Sequence, residues 1–474
     1  MAQHKNFSYF ENLAAKRIKI RKTHSYYWKD ISSQFDYFIQ EDSRVIEIGC
    51  GTGELLAEVR GAYKMGIDYS PAMIAQAKEN GIDAHFEVMD AEDVSSINQK
   101  FDVIILSNLT GYLDDVQYVF NELHKISHPK TRIIVNYYNF VWEPILKFAE
   151  RIGLKQKTPK QNWLSTMDIN NLLFLAGFDV YRNTPRTLIP FNIPIISWFF
   201  NKYMAKMPII KHLCLNQFTF ARPQPVLTEA EYSQKYTTTV VIPARNESGN
   251  IENAILRLPK FGKDIEIIFV EGNSTDDTWQ KIQEIKAKYG HSHNIKITQQ
   301  DGKGKGDAVR KGYNIATGDI LMILDADLTM PPEDLPKFYD AIASGKGEFI
   351  NGCRLVYAMD DKAMRFLNLL GNKFFSIAFT WLLSQSFKDT LCGTKVMFRK
   401  DYEKLKVNRK FFGEFDPFGD FDLLFGAYKL NLKMVDLPIR YKERTYGDTN
   451  ISRFKHGLIL LRMCAFAARK VKFT

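Results

Sequence analysis

The stretch "ILMILDADLTM", Ile320 to Met330, runs five apolar residues into two acids separated by one alanine, Asp325-Ala326-Asp327. An apolar run of this length, bounded by polar residues, reads as a buried strand. Two carboxylates at its end are costly to bury unless something compensates them. Three further features precede this stretch. "VVIPARNE" ends a strand at Pro243, Arg245, Asn246 and Glu247. "IEIIFVEGNSTDDT" ends the next at Glu271, followed by a Ser/Thr/Asp-rich turn suited to capping a helix. "GKGKGDAVRKGYNIATGD" then sets Lys303, Lys305 and Arg310 on or beside glycine backbone, with Asp307 among them. Acidic strand ends facing a basic glycine loop suit a nucleoside diphosphate and a divalent metal. A hard cation takes oxygen ligands and keeps phosphate and water in its shell, so it can tie two neighbouring carboxylates to a diphosphate.

This ordered series resembles the family 2 glycosyltransferases of GT-A (nucleotide-diphospho-sugar transferase) fold, over about Thr237 to Phe454. The resemblance implies that Asp325 and Asp327 hold the metal (Mg2+ or Mn2+) and donor phosphates, with Thr329 nearby. It also implies that Pro243, Arg245, Glu247, Glu271, Lys305 and Asp307 line the site of a nucleotide-sugar. Glu271 stands where many relatives carry Asp, one methylene shorter. "GCRLVYAMDDKAMRFLNLLGNKFFSIAF" and "KDTLCGTKVMFRK" resemble the dolichyl-phosphate mannosyltransferase branch, in which a polyprenyl phosphate receives the sugar. The branch's Arg-x-x-Gly-x-Ser pattern is approached at Arg444 and Gly447, with Thr449 in the place of the serine. Arg354, Arg365 and Arg444 would then grip phosphates, a task suited to a planar, permanently charged fork. A phosphate acceptor is already an anion and needs no strong protein base. Asp420, in "FDPFGDFDLLFGAYK", falls where hydroxyl-acceptor relatives keep a catalytic base, so a glycan or small alcohol acceptor stays open. With Asp325, Asp327 and Arg444 it completes the catalytic candidates; capping of the following helix is the alternative reading of Asp420.

The first half repeats the strand–loop–helix grammar with different residues. "RVIEIGCGTGELLAEVR" gives an apolar strand carrying Glu47, a loop with Gly49, Gly51 and Gly53, and a helix from about Glu54. Glycines there permit a tight turn and close approach of a ligand to the backbone. The next strand, "KMGIDYS", ends at Asp68, where an acid can accept from ribose hydroxyls. The third, "AHFEVMDAED", ends at Asp90-Ala91-Glu92, and the fourth, "FDVIILSN", opens on "NLTGYLDD". This set resembles the class I S-adenosylmethionine-dependent methyltransferases, over roughly Ser43 to Asn139 and loosely to Pro223. The resemblance implies a Rossmann-like sheet, the three glycines around the methionine part of the cofactor, Asp68 at the ribose, and Asp90 with Ala91 at the adenine. His85, His124 and His128 are bases by residue type alone. The segment Trp142–Ile210 is expected to cover the acceptor side. In a second reading this half binds S-adenosylmethionine as a sensor, or is a scaffold, while the other half transfers sugar to a hydroxyl.

The chain has 474 residues, 45% hydrophobic and 25% charged, a globular composition too long for one ordinary core. The expected domains are 1–222 and 237–474, with "FARPQPVLTEAEYSQKY" supplying a linker at 223–236. Alternating β and α segments predict α/β architecture with parallel sheets in both. The net charge of +10 invites anionic partners, and nine Lys/Arg against two acids crowd Arg440–Thr474. No nucleic-acid module accompanies that charge. Five scattered cysteines without a CxxC pair fit a reducing, cytoplasmic compartment. The longest apolar stretches, "LIPFNIPIISWFF" and "FFSIAFTWLL", fall short of the about 20 residues that span a bilayer. Membrane contact is therefore expected to be peripheral, at the inner face of the cell membrane, with the basic C-terminal segment as its carrier. The sugar, the nucleotide, the methyl acceptor and the oligomeric state are not encoded in any motif.

Overall fold

A computed structural model of the protein describes residues 6–153, 155–225, 227–354, 366–408, 420–442, 444, 446 and 461–473. The chain divides into two compact units, one spanning Met1–Gln224 and the other Pro225–Lys472.

Among the described residues, the first unit is built on a seven-stranded sheet in the order β3-β2-β1-β4-β5-β7-β6. Its strands are β1 Arg44–Ile48, β2 Tyr63–Asp68, β3 His85–Val88, β4 Phe101–Ser107, β5 Ser127–Tyr138, β6 Phe178–Arg186 and β7 Asn216–Pro223. Strands β3 to β5 run parallel, whereas β7 lies antiparallel to both β5 and β6. The all-parallel expectation therefore needs correcting to a mixed sheet. A parallel strand needs a crossover back over the sheet, and the segment between β6 and β7 makes none, returning the chain in the opposite direction. Central strands buried on both faces read as continuous apolar runs. Ile46, Ile48, Ile104, Leu106, Ile133 and Val135 form the core beneath the helices.

The second unit repeats the plan with strand order β10-β9-β8-β11-β13-β12-β14. These are β8 Thr237–Ala244, β9 Asp264–Glu271, β10 Asn294–Gln299, β11 Ile320–Ile323, β12 Phe349–Cys353, β13 Lys395–Phe398 and β14 Met434–Pro438. Strands β8 to β11 pair in parallel, and β13 enters antiparallel between β11 and β12. This sheet too is mixed: β13 runs against both its neighbours, while β12 and β14 pair in parallel. Val240, Ile242, Phe269, Met322 and Leu324 anchor its core.

Each sheet has a switch point, β1/β4 in one and β8/β11 in the other, where successive connections leave in opposite directions. The crevice beyond the carboxyl ends of such strands is where doubly wound sheets bind ligands. The glycine loop at 49–53, Asp68, Glu271 and the acids Asp325 and Asp327 fall at those two edges. The basic C-terminal segment, expected to carry membrane contact, buries Met463, Ala467 and Val471. Its Lys472 donates to Ser384 Oγ at 2.9 Å and lies over the Trp381 ring. No helix among the described residues is long and apolar enough to cross a membrane.

Candidate functional sites

In the second unit the acids at the strand ends are held by cations drawn from distant parts of the chain. Lys305, the first residue of helix Lys305–Ile315, places Nζ 2.5 Å from Asp325 Oδ1. Arg444 spans two acids, donating from Nη1 to Glu247 Oε1 at 2.8 Å and from Nη2 to Asp327 Oδ2 at 2.7 Å. Asp327 Oδ1 accepts from the Thr329 backbone N at 3.2 Å and from its Oγ1 at 2.8 Å. This turn puts Leu328 in the left-handed region, φ +52°. Burial raises the Glu247 carboxyl above the usual range, opposed by Arg444 and by the Asn250 amide. Glu271 is buried at the end of β9, accepting from Ser274 N at 2.5 Å and from Gln299 Nε2 at 3.1 Å. Asp307 accepts from Gly302 N at 2.7 Å and so closes the basic glycine loop on itself. Pro243, next to last in β8, is half-buried, while Arg245 and Lys303 are exposed. Arg310 reaches Asp307 at 3.8 Å and Asp422 at 3.9 Å.

The arginines named from sequence part company. Arg444 is in the acid cluster, but Arg354 is not. Its fork is taken by Asp389, with Nε to Oδ2 at 2.7 Å and Nη2 to Oδ1 at 2.8 Å. Burial works to raise the Asp389 carboxyl, and the Arg354 guanidinium overrides it, holding it below the usual carboxylate range. That pair braces the turn Asp389–Thr394, whose Gly393 packs directly against Asp325 and Lys305. A methyl group on Gly393 would overlap both charged groups. Gly393 and Asp389 were not legible as site residues, because "KDTLCGTK" carries no chemical signal until the turn is folded. Tyr446 was also missed; its hydroxyl meets Ser248 Oγ at 3.0 Å beside Gly249. Arg365, Asp416, Gly447 and Thr449 lie outside the described residues. Asp420 opens helix Asp420–Lys429, but its side chain is likewise outside the described part.

The acids offer only oxygen ligands, the chemistry a hard divalent cation requires. No three metal-ligating side chains converge among the described residues. A cation held by Asp325 and Asp327 would accordingly take the rest of its shell from phosphate and water, as Mg2+ usually does.

In the first unit Gly49, Gly51 and Gly53 all have positive φ, at 73°, 55° and 80°. The backbone needs that freedom, and so does the packing. A Cβ on Gly49 would stand 2.7 Å from Leu109, and one on Gly53 2.6 Å from Phe86. On Gly51 it would stand 2.6 Å from the Arg17 guanidinium carbon. Asp68 ends β2 with Oδ2 accepting from Gly51 N at 2.9 Å and Oδ1 accepting from Ser70 N at 3.0 Å. Its carboxylate thus fastens the second strand to the glycine loop, and burial raises it above its ordinary range. Asp90 caps the short turn Ala91–Ser96 by accepting from Glu92 N at 3.0 Å, and Ala91 is buried.

The residue that sequence reasoning overlooked here is Arg17. The helix Phe7–Thr23 lies over the loop ends. Its Phe10 packs edge-on against Tyr69 and Tyr112, and its Glu11 accepts from Ser70 Oγ and Ala72 N. Arg17 is thereby delivered over Gly51, 3.8 Å from Glu54. Its Nε is buried with no hydrogen-bond partner among the described residues. From the other side, Gln161 Nε2 donates to the Tyr112 hydroxyl at 2.6 Å and Asn162 N to Gly111 O at 2.8 Å. Part of the segment expected to cover the acceptor side therefore reaches the loop after β4. The three histidines are engaged elsewhere: His85 with Glu87, His124 with Ala176 O and stacked on Phe178, His128 with Asp102.

Glu47 is 3% exposed, and its Oε2 has no hydrogen-bond partner among the described residues. Burial pushes its carboxyl up to about 8, against the pull of Arg21 and Arg17. Because the folded value lies above the ordinary 4.5, the folded state binds this proton more tightly than the unfolded chain. Its contribution is complete at low pH and is lost as pH rises through about 8. Thermal melts between these two values should show the wild type losing on the order of 1 kcal/mol per pH unit from this group. Glu47→Gln, which mimics the protonated acid, should flatten that slope. Parallel slopes for the two proteins would contradict the assignment.

Comparison with known proteins follows the same division. Residues 239–406 match the family described as Glycosyl transferase family 2, and residues 39–176 match the family described as Methyltransferase domain. The dolichol-phosphate mannosyltransferase of Pyrococcus furiosus is 38% identical over 110 residues, covering 23% of this chain and 30% of that protein. The glycosyltransferase AglJ of Haloferax volcanii is 28% identical over 224 residues, 47% of this chain and 68% of that protein. A crystal structure of an S-adenosylmethionine-dependent methyltransferase from Mesorhizobium loti is similar at 17% identity and TM-score 0.30, covering 39% of this chain and 94% of that one. The chain spans less than half the length of the dolichol-phosphate mannosyltransferases it matches, at 30% and 40%. It joins a methyltransferase domain to a family 2 glycosyltransferase domain, both on mixed α/β sheets.

Proposed function

We propose that the protein is a bifunctional transferase. Its second unit moves a sugar from a nucleotide-sugar to a polyprenyl phosphate, and its first uses S-adenosylmethionine to methylate an acceptor, with the glycan itself as the candidate. The observation that carries the first half of this reading is the cluster of Glu247, Asp325 and Asp327 around Lys305 and Arg444, beside the β8/β11 switch point. The likeness to dolichol-phosphate mannosyltransferases supports a lipid phosphate as acceptor.

In this reading Asp325 and Asp327, with Thr329 close by, would hold a divalent cation, Mg2+ or Mn2+, which would supply Lewis acidity to the donor diphosphate. Glu271, with Pro243 and Arg245, borders the nucleoside, and Asp307 keeps the basic loop folded. An oxygen of the acceptor phosphate forms a bond to the sugar carbon as the bond to the diphosphate breaks, inverting that carbon. Lys305 and Arg444 face the negative charge that gathers on the leaving diphosphate; donors fixed before the reaction stabilise such charge without reorganising. The anionic acceptor makes a protein base unnecessary. Arg354 serves indirectly, since its pair with Asp389 sets the turn that lays Gly393 on Asp325.

In the first unit the cofactor supplies a sulfonium methyl, and positioning accounts for much of the rate of such an in-line displacement. Gly49, Gly51 and Gly53 leave room for the cofactor against the backbone. Asp68 stands at the ribose, Asp90 and Ala91 at the adenine, and Glu47 under the loop. Arg17 adds the cation that the methionine carboxylate requires.

The test of the glycosyl reading is a screen of nucleotide-sugars with and without a short polyprenyl phosphate, followed by mass spectrometry. A polyprenyl phosphate gaining one sugar is expected. Asp325→Asn and Gly393→Ala should each lower its formation by about 100-fold or more, since displacing a reacting group by about 1 Å has that effect. Full activity in both variants would contradict it. For the first unit, S-adenosylhomocysteine and 5′-methylthioadenosine differ by the amino-acid end of the molecule. Arg17→Met should weaken S-adenosylhomocysteine by about tenfold and leave 5′-methylthioadenosine unchanged, as loss of one charge-assisted hydrogen bond predicts. Equal effects on both ligands would remove Arg17 from the carboxylate, and no binding of either would remove the site.

A further inference from the structure

The connection between β6 and β7 is larger than joining two adjacent antiparallel strands requires. It holds a helix, Ile196–Lys202, and two short turns, Met204–Lys206 and Ile210–Leu213, packed on one another. Its apolar side chains face outward: Ile195 is 79% exposed, Trp198 53% and Ile209 85%, with Phe191 and Phe199 beside them in sequence. Apolar residues exposed together in such numbers mark an interaction site. The face does not end there. Trp142 Nε1 donates to Leu213 O at 2.8 Å, and Asn139 Nδ2 to His212 O and Cys214 O, both at 2.9 Å. These bonds hold the connection beside the amphipathic helix Glu143–Arg151, which buries none of its residues and exposes Ile145 and Phe148.

Charge identifies the occupant. The chain carries 54 acids, yet not one Asp or Glu occurs from Val180 to Thr228. Lys202 and Lys211 stand partly exposed among the apolar side chains. Protein interfaces are depleted in lysine at their centres. The surface of an anionic bilayer accepts this combination, with tryptophan at the headgroup level and lysine stems extending to lipid phosphates. Prolines at 190, 194 and 208 break the segment into pieces too short to span a membrane.

We propose that this connection, with the helix Glu143–Arg151, is the surface by which the methyltransferase unit lies on an anionic lipid bilayer. The proposal is independent of which sugar or methyl acceptor the protein uses. It moves the membrane contact from the C-terminal segment, whose Met463, Ala467 and Val471 are buried, to the unit that carries the cofactor loop.

Flotation of the full chain with vesicles tests it, using phosphatidylcholine alone and phosphatidylcholine mixed with phosphatidylglycerol. The protein should float with the mixed vesicles and release as salt is raised, since surface charge attraction is screened. The double variant Ile195→Asp, Trp198→Asp should reduce the bound fraction about tenfold, because binding scales with the apolar area inserted. Ile209→Asp should reduce it by itself, and Val407→Asp, an equally exposed position in the other unit, should not. Unchanged flotation of the first two variants overturns the proposal, as does failure of the wild type to float. Equal binding to phosphatidylcholine alone overturns its anionic component. A dimer that the double variant dissociates, without vesicle binding, assigns the face to a second copy of the chain instead.

Discussion

Arg444 lies between Glu247 and Asp327 at 2.8 and 2.7 Å, and the second unit's candidate site depends on that contact. Two largely buried carboxylates facing one pocket would repel each other and protonate unless a cation stood between them. A planar fork satisfies both with separate nitrogens, which a lysine ammonium does less well. Lys305 answers the third acid, Asp325, from the start of a helix. Each of the three acids therefore has a cationic partner, two of them sharing Arg444. A phosphate ligand with a divalent cation exchanges like for like, the metal taking the acids and the phosphate the bases.

The same solution recurs in the first unit with other residues. Glu47 and Asp68 are buried under the glycine loop, and Arg17 arrives over Gly51 from the helix Phe7–Thr23. In both units the parallel strands of the sheet aim acids at one edge, and a segment far away in sequence brings the counter-charge. The arrangement follows from the sheet: strand ends can present side chains together, but their neighbours in sequence are committed to strand or helix. Compensation has to come from elsewhere in the chain.

That division also explains what could be read in advance. The strand–loop–helix starts at Arg44 and Thr237, the three glycines, Asp68 and the acids at Asp325 and Asp327 are local patterns, and the structure puts each at a sheet edge. The antiparallel strands β7 and β13 were not legible, because direction depends on where a connection returns and not on the strand's own residues. Arg17 and Gly393 escaped for a related reason. A basic helix near the start of a chain and a glycine in a short turn have no chemical meaning until distant acids are folded against them. Arg354 shows the opposite failure: an arginine in a phosphate-binding context proved to hold a buried acid, Asp389. One charged residue in a sequence does not disclose which charge it will meet.

Calorimetric titration of one protein sample with two ligands tests the account most directly. S-adenosylhomocysteine is added first, then a nucleoside diphosphate in the presence and absence of Mn2+. The account predicts two binding heats, each saturating at one ligand per chain, with the second seen only when the metal is present. A chain that binds just one of the two ligands, or that binds the diphosphate equally well without metal, would contradict it.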